Sequence, residues 1–152
     1  YYRLILNPND NESFYRIINT PTRGLGNSTI AALSVYASKH NMALCPALKQ
    51  CVEHKEHFLP LAAIKKLQTF SSLIESLTEH AKHAQSILEN QALSKVERGG
   101  AIAELLQKIT DKSGYVKKLS EEDNLDSENR LENINELIRV AYDFADDSFL
   151  SQ

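Results

Sequence analysis

The stretch "LAAIKKLQTFSSLIESLTEHAKHAQSIL", residues 61–88, decides the fold class. Its apolar positions Ile64, Leu67, Phe70, Ile74, Leu77, Ala81, Ala84 and Leu88 recur by threes and fours, which lines them along one stripe of an α-helix. Pro60 suits the first turn, and the pattern predicts a helix reaching residue 92, long for a globular protein. A second stripe runs through Leu131, Ile134, Ile138, Ala141 or Tyr142, and Ala145, with Asp126 or Ser127 as its cap. Shorter helices are expected at 12–18, 28–40, 44–54, 100–111 and 114–120. Strand-like alternation is nowhere sustained. The expectation is an all-α chain, an irregular helical bundle, folded as a single domain over residues 1–152.

Totals narrow the function classes. The 152 residues suffice for one domain with a core; 42% are hydrophobic and 24% charged, ordinary for a soluble protein. No apolar run approaches the roughly 20 residues of a membrane span. Two cysteines, Cys45 and Cys51, make no disulfide framework, and a reducing cytoplasm is the expected location. The opening "YYRLIL" reads as a helix entered part-way, so the chain is expected to be a piece of a longer protein. A formal charge of −3 rules out whole-surface attraction for nucleic acid and leaves only a local patch. The first fifty residues hold just Asp10 and Glu12 as acids against Arg3, Arg16, Arg23, Lys39 and Lys49, whereas Glu121, Glu122, Asp123, Asp126, Glu128, Asp143, Asp146 and Asp147 cluster late.

The basic end also carries "NTPTRGLGNST", residues 19–29. Turn signals fall at Asn7 to Asp10, at Pro21 to Gly26, at Gly99-Gly100 and at Lys112 to Gly114. Helix, glycine turn, helix is the outline of a clamp for a DNA backbone, a helix-hairpin-helix-like arrangement. With Asn27 or Ser28 capping the helix that follows, its first amides face an anion without intrahelical partners. Gly24 and Gly26 permit positive φ and remove the Cβ that would block a phosphate. Arg23 adds a charged fork, while Thr22, Ser28 and Thr29 add hydroxyl donors. Such groups read phosphate and sugar, so contact is expected to be blind to sequence and sensitive to salt. The same segment also reads as a plain tight turn, and Ser113-Gly114 beside Lys112, Lys117 and Lys118 as a capped turn next to a solvated face.

Other constellations carry no chemistry. Cys45, Cys51, His54 and His57 lack zinc-finger spacing, and His80 with His83 and Glu79 reads as a solvated helix face. No G-x-S-x-G elbow and no G-x-x-x-x-G-K-[ST] loop is present, so no catalytic, cofactor or metal residues are assigned and the piece is not expected to be an enzyme alone.

Residues 3–30, "RLILNPNDNESFYRIINTPTRGLGNSTI", resemble the UvrD/PcrA/Rep family of superfamily 1 DNA helicases. The family pattern, R-L-I-x-N-P-x-D-[DN]-x-x-F-x-R-I-[IV]-N-x-P-x-R-G-[IVL]-G, is met by Arg3, Leu4, Asn7, Pro8, Asp10, Phe14, Arg16, Ile17, Asn19, Pro21, Arg23, Gly24 and Gly26. A second match, "KSGYVKKL…SENRLENINELI" over 112–138, follows in the same order; the middle, 40–111, agrees only in helical character, and 94–111 looks longer than usual. The resemblance implies the mostly helical inserted subdomain called 2B, part of an ATP- and Mg-dependent 3′-to-5′ helicase of repair and replication whose ATPase motifs lie elsewhere. It implies double-stranded DNA or a duplex–single-strand junction as partner, along with the parent's motor domains, regulatory proteins and no membrane. The duplex-contacting turn falls on Gly24-Leu25-Gly26, and the DNA-binding set is Thr22, Arg23, Gly24, Leu25, Gly26, Asn27, Ser28 and Thr29. Phe14, Ile17 and Ile18 are expected to pack the first helices, Arg16 and Asn19 to tie the turn, and Arg130, Glu132 and Asn133 to fix the last helix. The alternative is a helical protein–protein interaction module with no DNA contact.

Overall fold

The computed structural model describes residues 1–54 and 58–144, the last by its backbone alone; His57, Ala145, Asp146 and Asp147 lie outside the described residues. Within that span the chain is all-α, with eight helices and no strand. In order they are α1 (Tyr2–Leu6), α2 (Asn11–Ile17), α3 (Asn27–Lys39), α4 (Leu44–His54), α5 (Leu61–Glu89), α6 (Lys95–Lys112), α7 (Tyr115–Glu122) and α8 (Leu125–Phe144). The chain divides into two compact units, Tyr1–Thr78 and Glu79–Gln152, with the boundary inside α5.

In the first unit the helix ends are set by side chains. Asp10 caps α2, accepting from the Ser13 amide at 3.0 Å and the Ser13 hydroxyl at 2.7 Å. Asn11 Oδ1 accepts from the Leu44 amide at 2.9 Å and so anchors the start of α4 from 33 residues away. Helix α3 closes through Asn41, in the left-handed region at φ 52°, with the Met42 amide donating to the Ala37 carbonyl at 2.9 Å. Phe14, Ile18, Leu33, Leu48, Leu67 and Phe70 are sealed in the core that these caps align. Phe14 and Phe70 meet edge-to-face at 5.8 Å. Phe14, Ile17 and Ile18 pack as expected, and the α5 stripe of Leu67, Phe70, Ile74, Leu77 and Ala84 is buried.

In the second unit α6 and α7 both pack on α8. Here the structure corrects the sequence reading. Gly99-Gly100 is not a turn: both lie inside α6, which starts five residues earlier than expected, at Lys95. Ser94 and Glu97 form a reciprocal capping box that starts the helix and outweighs the glycines. A Cβ at Gly100 would stand 3.6 Å from the Tyr142 ring of α8, so the small residue permits close approach of the two helices. Asn124, not Asp126 or Ser127, opens α8: its Oδ1 accepts from the Ser127 amide at 2.9 Å and its own amide donates to Ser127 Oγ at 3.2 Å. Arg130 hydrogen-bonds Tyr115 and pairs with Asp126 at 2.9 Å, whereas Glu132 and Asn133 are exposed and do not pin α8. Helix α5 stops at Glu89, because Asn90 Oδ1 takes the Ala92 amide into a turn, and Leu88 is left exposed.

Among the described residues no helix is long and apolar enough to cross a membrane.

Phe70→Ala is expected to cost about 3–5 kcal/mol, read as a shift of the urea midpoint, because it opens a void against Phe14. Bonds from Ser13 and Ser94 hold the Asp10 and Glu97 carboxyls below the ordinary carboxylate range. A pKa lowered by folding contributes stability above the unfolded value and loses it as pH falls through the folded one. Asp10→Asn, which keeps an acceptor but cannot titrate, should therefore flatten the loss of helical circular dichroism on acidification.

Candidate nucleic-acid interface

Helix α2 ends with carbonyls that the chain immediately behind it must satisfy. Arg23 does so. Its guanidinium turns inwards, donating to the carbonyls of Ile17 at 2.7 Å, Ile18 at 3.2 Å and Pro21 at 3.2 Å, and to the Tyr1 phenol. It also lies 5.0 Å over the Phe70 ring and 5.8 Å over the Tyr1 ring. Burial raises the Tyr1 phenol above its ordinary value, against the opposing pull of Arg23, so it stays protonated and donates to the Thr20 carbonyl at 2.6 Å.

Asn19 completes the clasp. Its Oδ1 accepts from the amides of Arg23 and Leu25, each at 3.3 Å, and its Nδ2 donates to the Leu25 carbonyl at 2.5 Å. The expectation for Asn19 therefore holds. Arg16 plays no such part: it is exposed and pairs with Glu12 at 2.8 Å, one helical turn away.

The site residues divide into three groups. Arg23 and Leu25 face the interior; Leu25 is 4% exposed and its side chain belongs to the core. Gly24 takes the left-handed conformation at φ 67° and presents its carbonyl to Lys66 Nζ at 2.8 Å. Thr22, Gly26, Asn27 and Ser28 are exposed, with Thr29 half-buried beside them.

At the start of α3 the structure departs from expectation in an informative way. Gly26, rather than Asn27 or Ser28, is the N-cap, and no side chain caps the helix. Its carbonyl takes the Thr29 and Ile30 amides at 3.0 and 3.2 Å, which leaves the amides of Asn27 and Ser28 at the open first turn. Gly26 itself sits at φ −71°, ψ 158°, extended backbone that any residue adopts. A Cβ there would meet only Ser28 Oγ, at 3.8 Å. Gly24 is required by the fold; Gly26 is not.

Lys66, on the second turn of α5, is the residue that sequence reasoning missed. It is 42 positions from Gly24, and helical periodicity marks it only as a solvated lysine. It brings an exposed cation to the turn whose arginine is committed to the interior. The other glycine turn differs. Gly114 takes φ 78° between α6 and α7, but Lys117 and Lys118 pair with Glu121 at 3.9 Å and Glu122 at 3.6 Å on their own helix. Among the described residues no three His, Cys, Asp or Glu side chains converge on a point where a metal could sit.

Arg23→Ala should lower stability by about 2–3 kcal/mol, since it strips charge-assisted bonds from half-buried carbonyls, and Arg23→Lys should not restore it. Thermal unfolding of the two variants checks this.

The family model of the UvrD-like helicase C-terminal domain matches residues 1–151. The ATP-dependent DNA helicase PcrA of Staphylococcus aureus (strain Mu50 / ATCC 700699) is 30% identical over 152 residues, all of this chain and 18% of its own length. The ATP-dependent DNA helicase UvrD1 of Mycobacterium leprae (strain TN) is 29% identical over 145 residues, 95% of this chain and 16% of its own. The chain thus spans less than a fifth of the length of these curated relatives. With that match over nearly its whole length, the chain belongs to the UvrD-like helicase C-terminal domain family.

Proposed function

We propose that residues 1–152 act as a 2B-like subdomain that grips duplex DNA, or the duplex side of a duplex–single-strand junction, for an ATP-dependent 3′-to-5′ helicase of repair and replication in the cytoplasm. The contact is to phosphate and blind to sequence. One observation carries this reading: α3 begins on a glycine that the local backbone does not require, with room for a Cβ and no capping side chain. Serine, threonine, aspartate or asparagine at such a position stabilises a helix. Leaving the first turn open forgoes that gain, which is reasonable where an external anion completes the cap.

In this reading the amides of Asn27 and Ser28 and the hydroxyls of Ser28, Thr29 and Thr22 meet phosphate oxygens, and Lys66 supplies the cation. Arg23, Gly24 and Leu25 act from behind, by holding the backbone in place. In this reading ATP and Mg fall to the motor domains of the parent, and no step through them is derived from this chain. The fragment is not an enzyme by itself. A helical module that binds protein rather than DNA is the competing reading, and salt separates the two, since phosphate contact weakens steeply with ionic strength while apolar association does not.

Gly26→Asp separates folding from binding. Aspartate caps the helix and should raise stability by a few tenths of a kcal/mol, yet its charge occupies the place of the phosphate. Duplex affinity at low salt should fall roughly tenfold or more, since the carboxylate replaces attraction with repulsion in the same turn. Unchanged affinity in an anisotropy titration, or association seen by size exclusion that ignores both DNA and salt, would favour the protein-binding module instead.

A further inference from the structure

Residues 13–52, forty in a row, contain no aspartate or glutamate and carry Arg16, Arg23, Lys39 and Lys49. The glycine turn uses only the first part of this stretch. Farther along α3 lies an open groove of about 480 Å³, lined by Ala32, Val35, Tyr36, Lys39, His40 and Phe58. Its volume falls within the roughly 300–1,000 Å³ of small-ligand sites.

The groove is built on stacked rings. Tyr36, 7% exposed, stacks with His40 at 4.1 Å and 30°, and with Phe58 at 5.4 Å and 15°. His40 is held in register by its Nδ1, 2.9 Å from the Tyr36 carbonyl. Phe58 stays 46% exposed and Val35 67%. A flat ring left open to water, parallel to a buried one, is a surface on which a further planar group stacks. Lys39 is exposed at the same groove, and no carboxylate is among the described residues that line it. A planar, uncharged ring joined to an anion matches this combination, and a nucleotide with an unpaired base has both parts. A cationic ligand finds no countercharge among the described lining residues, and a proline-rich peptide leaves Lys39 unused.

We propose that this groove receives an unpaired nucleotide of single-stranded DNA, with its base stacked on Phe58 and its phosphate facing Lys39. The inference rests on the nucleic-acid reading above and extends it to a second site. Ser28 and Lys39 lie on the order of 16 Å apart along one helix, so α3 can meet the duplex at its first turn and a parted strand near its last.

The test uses the intact chain and two labelled probes, a short oligothymidylate and a blunt duplex, followed by fluorescence anisotropy. Phe58→Ala should weaken oligothymidylate binding roughly tenfold and leave the duplex unaffected. Lys39→Ala should reduce the slope of log affinity against log salt by about 0.7 for the single strand. Gly26→Asp should do the reverse, acting on the duplex alone, so failure of the glycine turn and failure of the groove read out separately. Phe58 is nearly half exposed, and unchanged melting curves verify that its removal leaves the fold intact. Oligothymidylate binding that is absent, or indifferent to both Phe58→Ala and Lys39→Ala, overturns the proposal, as does a proline-rich peptide that binds in a Phe58-dependent way while the oligothymidylate does not.

Discussion

The guanidinium of Arg23 folded back onto the carbonyls of Ile17, Ile18 and Pro21 is the interaction on which the first unit turns. A short helix such as α2 cannot end in the interior unless something takes its last carbonyls, because an unpaired buried acceptor costs more than a typical hydrogen bond returns. A charged donor with several N–H groups in a rigid fork can take two of them, at Ile17 and Ile18, and the Pro21 carbonyl beyond, from one side chain. Once that is done the backbone has little freedom left. Asn19 holds the amides of Arg23 and Leu25 at 3.3 Å, Gly24 adopts the left-handed region, and Leu25 is driven into the core. Gly26 then emerges at the surface as the first residue of α3's cap. The exposed part of the turn is set by the buried part.

This division of labour explains why the same motif holds groups of such different chemistry. An arginine before a glycine turn looks like a phosphate ligand when only its charge is considered. In the folded chain that charge is directed inwards, toward carbonyl oxygens and the faces of Tyr1 and Phe70. An exposed cation near the turn comes from Lys66, whose side chain lies over Gly24 and donates a hydrogen bond to the carbonyl there. Because an ammonium on a flexible stem can shift between partners at little cost, Lys66 is suited to a site that is alternately empty and filled.

How much of this was legible follows from the range of the forces involved. The helices were readable because their signal is local: the stripe through Leu67, Phe70, Ile74 and Leu77 repeats within one element. The Gly99-Gly100 error has a local cause too. Two glycines weigh against a helix, but the Ser94–Glu97 box starts one, and the neighbouring Tyr142 ring gives the missing side chain a use. The capping of α3 was misplaced by one or two residues because Asn27 and Ser28 are good caps by type, while the turn's geometry had already assigned the position to Gly26. Lys66 was invisible for a different reason. No periodicity or composition links residue 66 to residue 24; only the packing of α5 brings them together. The direction of Arg23 was hidden likewise, since it depends on the six-residue return of the chain to the end of α2.

The two glycines of the turn make the clearest case for separating what folding needs from what it tolerates. At Gly24 a side chain would be strained by φ 67° and would crowd Lys66 Nζ at 2.9 Å, so glycine there is accounted for without any ligand. At Gly26 neither constraint applies. A residue with a Cβ would fit, and a polar one would satisfy an amide that otherwise faces water. Glycine at that point lowers helix stability slightly and increases the entropy of the unfolded chain, so the folded state alone gives no reason for it. The proposed function supplies one, access: a phosphate oxygen approaching the Asn27 and Ser28 amides would need the volume a side chain would fill. Such a contact would add little affinity singly and read no base, in keeping with the sequence-blind grip proposed for this turn.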